Sequence, residues 1–337
     1  MKQVLVTGGA GFVGSNLVKM LVMDYGCNVT VIDNMQTGRQ QNLQNLGIET
    51  EIELLAGNIL DRVLLEKALR GKDTVFHLAA LTTLAASEFP RSGLETNIIG
   101  TFNVLEGALK AGVEKVVYAS SSSVYGNAEH FPTREQERPQ FLSFYAAGKF
   151  AGESFAQVFQ EQYGLPVTII RYANIYGPNQ NPGNPYSGVV AKFIKWALAD
   201  QPLVIYGNGR QTRDFIFIQD ACRATVLAAL GSFSNGGVYN IGTGIETSVN
   251  DLASLIIQLT ESKSALRYEA KREIDSIDRR LLNFEKARNE LHFVPEWTLS
   301  AGLRKTIAWV RNKTLDSERV ESSKGSETNV CSSEDPV

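Results

Sequence analysis

The chain has 337 residues, 43% of them hydrophobic and 20% charged, with a formal net charge of −3 and a pI near 5.8. That is apolar material for one large core or two modest ones, and the charge balance advertises neither nucleic acid nor an anionic membrane surface as partner. Cys27, Cys222 and Cys331 are odd in number and far apart, and His77, His130 and His292 form no cluster, so disulfide, zinc and histidine-triad chemistry are not expected and a reducing cytoplasm is.

Met1 is followed at once by a strand pattern, with no signal peptide. No run reaches the roughly 18 apolar residues of a membrane span. Val4, Leu5 and Val6 predict a buried parallel strand that runs into Gly8, Gly11 and Gly14, then into a helix over 12–24. Glycines so spaced make a tight turn, let backbone approach a pyrophosphate, and let helix pack on strand. The helix N-terminus adds free N–H groups and a positive dipole end. A plain strand-to-helix turn could use the same glycines, so context decides. A second strand over 28–32 ends in Asp33. An acid there suits the adenosine ribose hydroxyls and repels a 2′-phosphate, which favours NAD over NADP.

Strands are predicted over 51–56, 74–79, 115–119 and 167–171, with helices over 62–69, 87–111 (broken near Pro90) and 144–163. Such alternation predicts an α/β fold, a doubly wound parallel sheet of Rossmann type with helices on both faces. Ligands of such sheets bind at the carboxyl ends of the strands, where Gly8, Asp33, Ala79, Ser121 and Tyr172 fall. After Tyr176 the pattern changes. Residues 177–188 are a Pro/Asn/Gly-rich loop long enough to suspect function. Then come a helix over 189–199, a strand over 203–206, a polar turn, a strand over 215–218, and a helix to residue 230. A strand over 238–241 and helices over 248–260 (capped by Ser248), 285–291 and 300–312 follow. The expected organisation is a nucleotide domain over 1–175 with returns near 213–242. A smaller interleaved α/β substrate lobe takes 176–212 and 243–312. The Ser/Glu-rich stretch 313–337 is expected to be a disordered tail.

Tyr145 and Lys149 lie four apart on one face of a predicted helix. A lysine ammonium beside a phenol favours the phenolate, lowering its pKa from about 10 toward a useful general base. The pair follows a serine-rich strand end, in a chain that already carries a dinucleotide turn. With TGGAGFVGS, Asp33, HLAA at 77–80, Asn97 in TNIIGTFNVLE, SSSSVYG at 120–126, YAAGK at 145–149, RYANIYGP at 171–178, RDFIFIQD at 213–220 and YNIGTG at 239–244, the chain resembles the extended short-chain dehydrogenase/reductase superfamily. Within it, the resemblance is to the NAD-dependent nucleotide-sugar 4-epimerases.

The resemblance implies that Tyr145 is catalytic base and acid, that Lys149 holds the nicotinamide ribose and tunes Tyr145, and that Ser121 bridges the sugar oxygen and Tyr145. It implies NAD contacts from Gly8, Gly11, Phe12, Val13 and Gly14, from Asp33, Asn34, Asn58 and Ile59, and from Leu78, Ala79, Ala80, Asn97, Tyr145, Lys149 and Tyr172. It implies substrate contacts from Thr82, Ser121, Ser122, Ser123, Asn174, Val189, Arg213, Arg272 and Asp275, with arginine forks suiting a diphosphate. His77 is expected to be structural, and Tyr125 and Tyr176 packing or cofactor-lining residues. The implied substrate is a UDP-sugar, UDP-glucose/UDP-galactose or an N-acetyl form, and the implied assembly a homodimer through helices around 97–111 and 144–163. Three departures stand out: Asn58 replaces the usual acid, Gly148 the usual hydroxyl residue, and Arg279 and Arg280 stand where smaller residues often do.

Dehydratases of the superfamily use an Asp-Glu pair where this chain has Ser122 and Ser123. Its uronate decarboxylases usually carry a Glu at 123 and a tyrosine-bearing loop where this chain reads ALTTLAAS. Epimerisation is favoured by that subtraction. The alternatives are a UDP-uronate decarboxylase or epimerase, a nucleotide-sugar dehydratase, and a non-catalytic NAD-binding regulator. Regulators of this kind typically lose the tyrosine or the lysine, and both remain here.

Overall fold

The apolar run at the start forms β1 (Gln3–Thr7), and the glycine turn leads into α1 (Phe12–Met23) and β2 (Asn28–Asp33). The structure, a computed structural model, describes residues 1–44, 52–184, 187–231, 235–271 and 277–327, with side chains as far as 313. The alternation continues through α2 (Gln40–Gln44), β3 (Ile52–Ala56), α3 (Arg62–Leu69) and β4 (Thr74–His77). The Asp61 side chain caps α3 by accepting from Val63 N and Leu64 N. The expected helix over 87–111 is four pieces: α4 (Thr83–Glu88), α5 (Pro90–Leu94), a π-helical turn (Glu95–Gly100) and α6 (Thr101–Lys110). Then follow β5 (Lys115–Ser121), a 3₁₀ turn (Ser122–Tyr125), α7 (Phe144–Tyr163), β6 (Val167–Tyr172) and β7 (Asn174–Tyr176). Ser143 caps α7 through Ala146 N at 3.1 Å, and Gly164 closes it in the left-handed conformation.

Beyond lie α8 (Val189–Leu198), β8 (Leu203–Tyr206), β9 (Thr212–Phe217), α9 (Ile218–Leu230), β10 (Val238–Ile241) and β11 (Glu246–Ser248). The chain continues with α10 (Val249–Thr260), β12 (Leu266–Glu269), α11 (Glu285–Leu291) and α12 (Leu299–Glu327). β9 begins earlier than the hydrophobic pattern predicts, because Thr212 and Arg213 are held by β11. The α12 backbone continues past residue 313, where composition alone ends the helical pattern.

The main sheet has the order β10-β6-β5-β4-β1-β2-β3, and every pair in it is parallel. Strand order reverses between β1 and β4, so the loops after these strands diverge and open a crevice. Successive side chains feed opposite cores: Val4 and Val6 one, Leu5 the other; Val117 one, Val116 and Tyr118 the other. The core on the Val4 side runs on without a break into Phe193, Leu252 and Leu303. Beside it lie a three-stranded sheet, β11-β9-β7, and a parallel pair, β12-β8.

Candidate active site

A cleft of about 450 Å³ opens at the carboxyl ends of the strands, lined on one side by Gly8 to Gly14 and on the other by Ser121, Tyr145 and Lys149. Gly8 has φ +71, and a Cβ there would sit 2.8 Å from Ala79 N. A Cβ on Gly14 would run into Gly8 O. These two positions therefore tolerate no side chain, and the loops after β1 and β4 almost touch. Gly11 begins α1 in extended conformation with no side-chain cap, so the helix N-terminus faces the cleft with its N–H groups open. Asp33 closes this half. Its carboxylate accepts from Ala10 N at 3.0 Å and Met35 N at 2.9 Å. Burial pushes the carboxyl up from the usual carboxylate range, and the N–H groups of Met35, Ala10 and Gly11 pull it back. Asn58 Oδ1 accepts from Leu60 N at 3.0 Å. A glycine cradle, an open helix end and a hydrogen-bonded acid fit the diphosphate and ribose of a dinucleotide.

The opposite wall is built by β5, its 3₁₀ turn and α7. Ser121 Oγ accepts from Ser123 N at 3.1 Å and from Ser123 Oγ at 2.9 Å. Both acceptor sites of that oxygen are used, which leaves its O–H to donate. Lys149 is buried and donates to Ala119 O at 2.6 Å. Its Nζ lies 6.0 Å from the Tyr145 ring centroid and 5.0 Å from that of Tyr118. Burial pulls this ammonium down to about 7, and the Glu153 carboxylate one turn on acts the other way. Glu153 is itself fixed: Ser120 Oγ donates to it, and Arg171 Nη2 and Nε reach it at 2.5 and 2.9 Å. Arg171 also donates to Tyr125 at 2.9 Å. An anchored buried ion pair thus sits behind the lysine. Asn174 Oδ1 and Gln180 Oε1 are buried acceptors with no hydrogen-bond partner among the described residues, and both residues line the cleft. Hydroxyl donors of a polar ligand would satisfy them.

Of the residues expected at the site, Phe12, Val13, Asn34, Ile59, Leu78, Ala79, Ala80, Thr82, Ser122, Ser123 and Tyr172 line the cleft with those already described. Asn97, Val189 and Arg213 do not. Asn97 sits in the π-helical turn behind the wall, where its amide grips both backbone groups of Leu81 at 2.8 and 2.9 Å. Val189 starts α8, and Arg213 lies on β9 and donates to Thr212 O at 2.8 Å. Arg272 and Asp275 fall outside the described residues. Missed by sequence reasoning were Thr37, Arg39, Asn179, Asn181 and Arg280, all in the lining. The polarity of the 177–188 loop was the signal for the two asparagines. His77 is structural: its ring lies 2.7 Å from Thr7 Oγ1 and 2.9 Å from Thr101 Oγ1. Tyr125 and Tyr176 are buried away from the cleft; Tyr125 donates to Asn240 at 2.7 Å and Tyr176 to Leu299 O at 3.1 Å.

Among the described residues no group of three or more His, Cys, Asp or Glu could hold a metal. None of their helices is long and apolar enough to cross a membrane. The sequence model of the NAD dependent epimerase/dehydratase family matches residues 4–242. A UDP-N-acetyl-alpha-D-glucosaminuronate decarboxylase of Bacillus cytotoxicus is 37% identical over 321 residues, covering 92% of this chain and 98% of that protein. A UDP-glucose 4-epimerase of Mycolicibacterium smegmatis is 36% identical over 313 residues, covering 92% and 99%. Among solved structures, UDP-glucose 4-epimerase of Thermotoga maritima with UDP-glucose superposes with a TM-score of 0.88 at 35% identity, over 93% of this chain and 99% of that one.

Proposed function

The chain belongs to the NAD-dependent epimerase/dehydratase family, and on that footing we propose that it epimerises a UDP-hexose at carbon 4. UDP-glucose/UDP-galactose, or their N-acetyl forms, are the substrates, and the enzyme works in the cytoplasm as a homodimer. The observation that supports this most is the meeting of Ser121, Tyr145 and Lys149 in the cleft that also holds the glycine cradle.

Gly8, Gly11, Gly14 and Asp33 would hold NAD, which would supply a reversible hydride acceptor for carbon 4 of the sugar. The chain's own part is proton transfer and orientation. Tyr145 takes the proton of the carbon-4 hydroxyl and later returns it. Lys149, held on Ala119 O, brings a positive charge to the tyrosine and steadies its phenolate. The donor-only Ser121 hydroxyl points the sugar oxygen toward Tyr145. Asn174 and Gln180 supply the acceptors that hold sugar or phosphate-side hydroxyls while the 4-keto sugar turns over. Ser122 and Ser123 carry no ionisable group, so the acid–base pair needed for dehydration across carbons 5 and 6 is missing from those positions. A second reading, a UDP-uronate as substrate, is favoured by one observation: a buried arginine, Arg280, in the cleft lining.

The test is to incubate the NAD-loaded protein with a panel of UDP-sugars and identify products by NMR. Interconversion of carbon-4 epimers is the expected outcome, with Tyr145→Phe about 10²- to 10⁴-fold slower and still loaded with NAD. Tight NAD without turnover of any UDP-sugar would replace this reading with that of a regulator.

A further inference from the structure

Tyr118 is fully buried on β5 and meets Lys149 at both ends of that residue. Its hydroxyl donates to the Lys149 carbonyl oxygen at 3.1 Å. Its ring centroid lies 5.0 Å from the Lys149 ammonium nitrogen. Helix α7 leaves room for this approach, since a Cβ on Gly152 would run into the Tyr118 hydroxyl. The next residue of β5, Ala119, accepts from the same ammonium at 2.6 Å. One strand end thus offers the lysine a carbonyl and a ring face.

An ammonium taken out of water needs compensation for its lost hydration. An aromatic face supplies part of it, because the ring quadrupole draws a cation within about 6 Å, most strongly where both are desolvated. Lys149 is only 3% exposed, so the ring takes the place of solvent. Burial and the Glu153 charge push the Tyr118 phenol well above its ordinary range, so the ring stays neutral in this role. The neighbours of the pair come from each packed element. His77 of β4 stacks on the Tyr118 ring at 5.5 Å and is kept neutral by burial. Glu153 of α7 is paired with Arg171 of β6 at 2.5 Å, and Tyr145 of α7 lines the cleft. The Glu153 charge is largely spent on Arg171, whereas the ring and the Ala119 carbonyl touch the ammonium itself.

We propose that Tyr118 is a positioning residue that fixes Lys149 from both ends and keeps its ammonium charged beside Tyr145. The inference rests on the catalytic reading of Tyr145 and Lys149 above and adds to it a residue outside the cleft lining.

The test follows the Tyr145 phenolate through a pH titration of the NAD-loaded protein, by ultraviolet difference absorbance against Tyr145→Phe in the same background. Tyr118→Leu removes the ring. The Lys149 ammonium then loses its proton about 2- to 30-fold more readily, Tyr145 loses the charge that steadies it, and its titration moves to higher pH. Tyr118→Phe keeps the ring face and restores most of the wild-type titration. A Tyr118→Leu titration that superimposes on wild type overturns the proposal. Equal shifts in the two variants overturn it as well, since the core is then merely disturbed. Should Tyr118→Leu lose NAD, Tyr118→Met fills the space without a π face and is held to the same criterion. A wild type that turns over no UDP-sugar overturns the epimerase reading, while the phenolate titration still decides the role of Tyr118.

Discussion

His77 sits at the end of β4 between two threonine hydroxyls, fully buried. Burial, helped by the charge of Lys149, pulls its imidazolium down to about 3. The unfolded chain keeps the ordinary value near 6.5. Between these values the unfolded state binds a proton that the folded state refuses, so stability falls as pH drops from about 6.5 toward 3. The slope is at most about 1.4 kcal/mol per pH unit, or about 2 kcal/mol between pH 7 and pH 5. Urea unfolding at pH 7, 6 and 5 should show this loss in the wild type and a shallower one in His77→Asn, which keeps hydrogen bonding without titration. Equal slopes would move the acid sensitivity to other groups. The meeting of Ser121, Tyr145 and Lys149 at one wall of the cleft was legible, because Tyr145 and Lys149 share a helix face and Ser121 ends a strand. Asn97 was not, since nothing local tells whether an amide faces a cofactor or a neighbouring backbone. Arg280 was visible only as an oddity, because its inward direction depends on pairing with Thr212, far off in the chain.

At the level of elements, α1 is held to its strand by glycine. Helix propensity alone would make Gly14→Ala stabilising by about 1 kcal/mol. The Gly8 carbonyl that a Cβ would meet is backbone in a tight turn and has nowhere to go, and overpacking of that kind costs about 1–3 kcal/mol. The clash wins, so Gly14→Ala should lower the melting temperature and weaken NAD together, measured by calorimetry and NAD titration. A stabilised variant with unchanged NAD affinity would mean that the turn yields easily. The strands β1, β2, β4, β5 and β6 could be read from apolar runs because both of their faces are covered, which leaves a continuous hydrophobic signal. The π-helical turn could not. It arises where Asn97 clasps Leu81 and Gly100 lets Ile59 approach within 2.5 Å of where a Cβ would stand, and neither contact leaves a mark on helical periodicity. β7 and β11 are three residues long and only partly covered, so their pattern is weak.

Across the whole molecule, Ile99, Phe102, Val158 and Tyr163 leave 46%, 39%, 43% and 59% of their surface exposed on the π-helical turn, α6 and α7. Phe102 packs edge-on against Phe155 and Phe159 beside them. An apolar face of this kind suits a two-fold contact with a second copy. Phe102→Glu should shift the protein from dimer to monomer in sedimentation velocity while NAD stays bound; a wild type that sediments as a monomer removes the homodimer from the proposal. The main sheet carries a further consequence, for how the protein is made. Its edge partner for β6 is β10, and about 65 residues separate the two strands. At about 5–20 residues per second a ribosome takes roughly 3–13 s to cover that gap. Throughout this interval β6 leaves the tunnel as an apolar strand with one edge unpaired, a ready template for the wrong partner. The late arrival of β10 therefore concentrates the hazard of misassembly into a few seconds of synthesis, before the cleft exists.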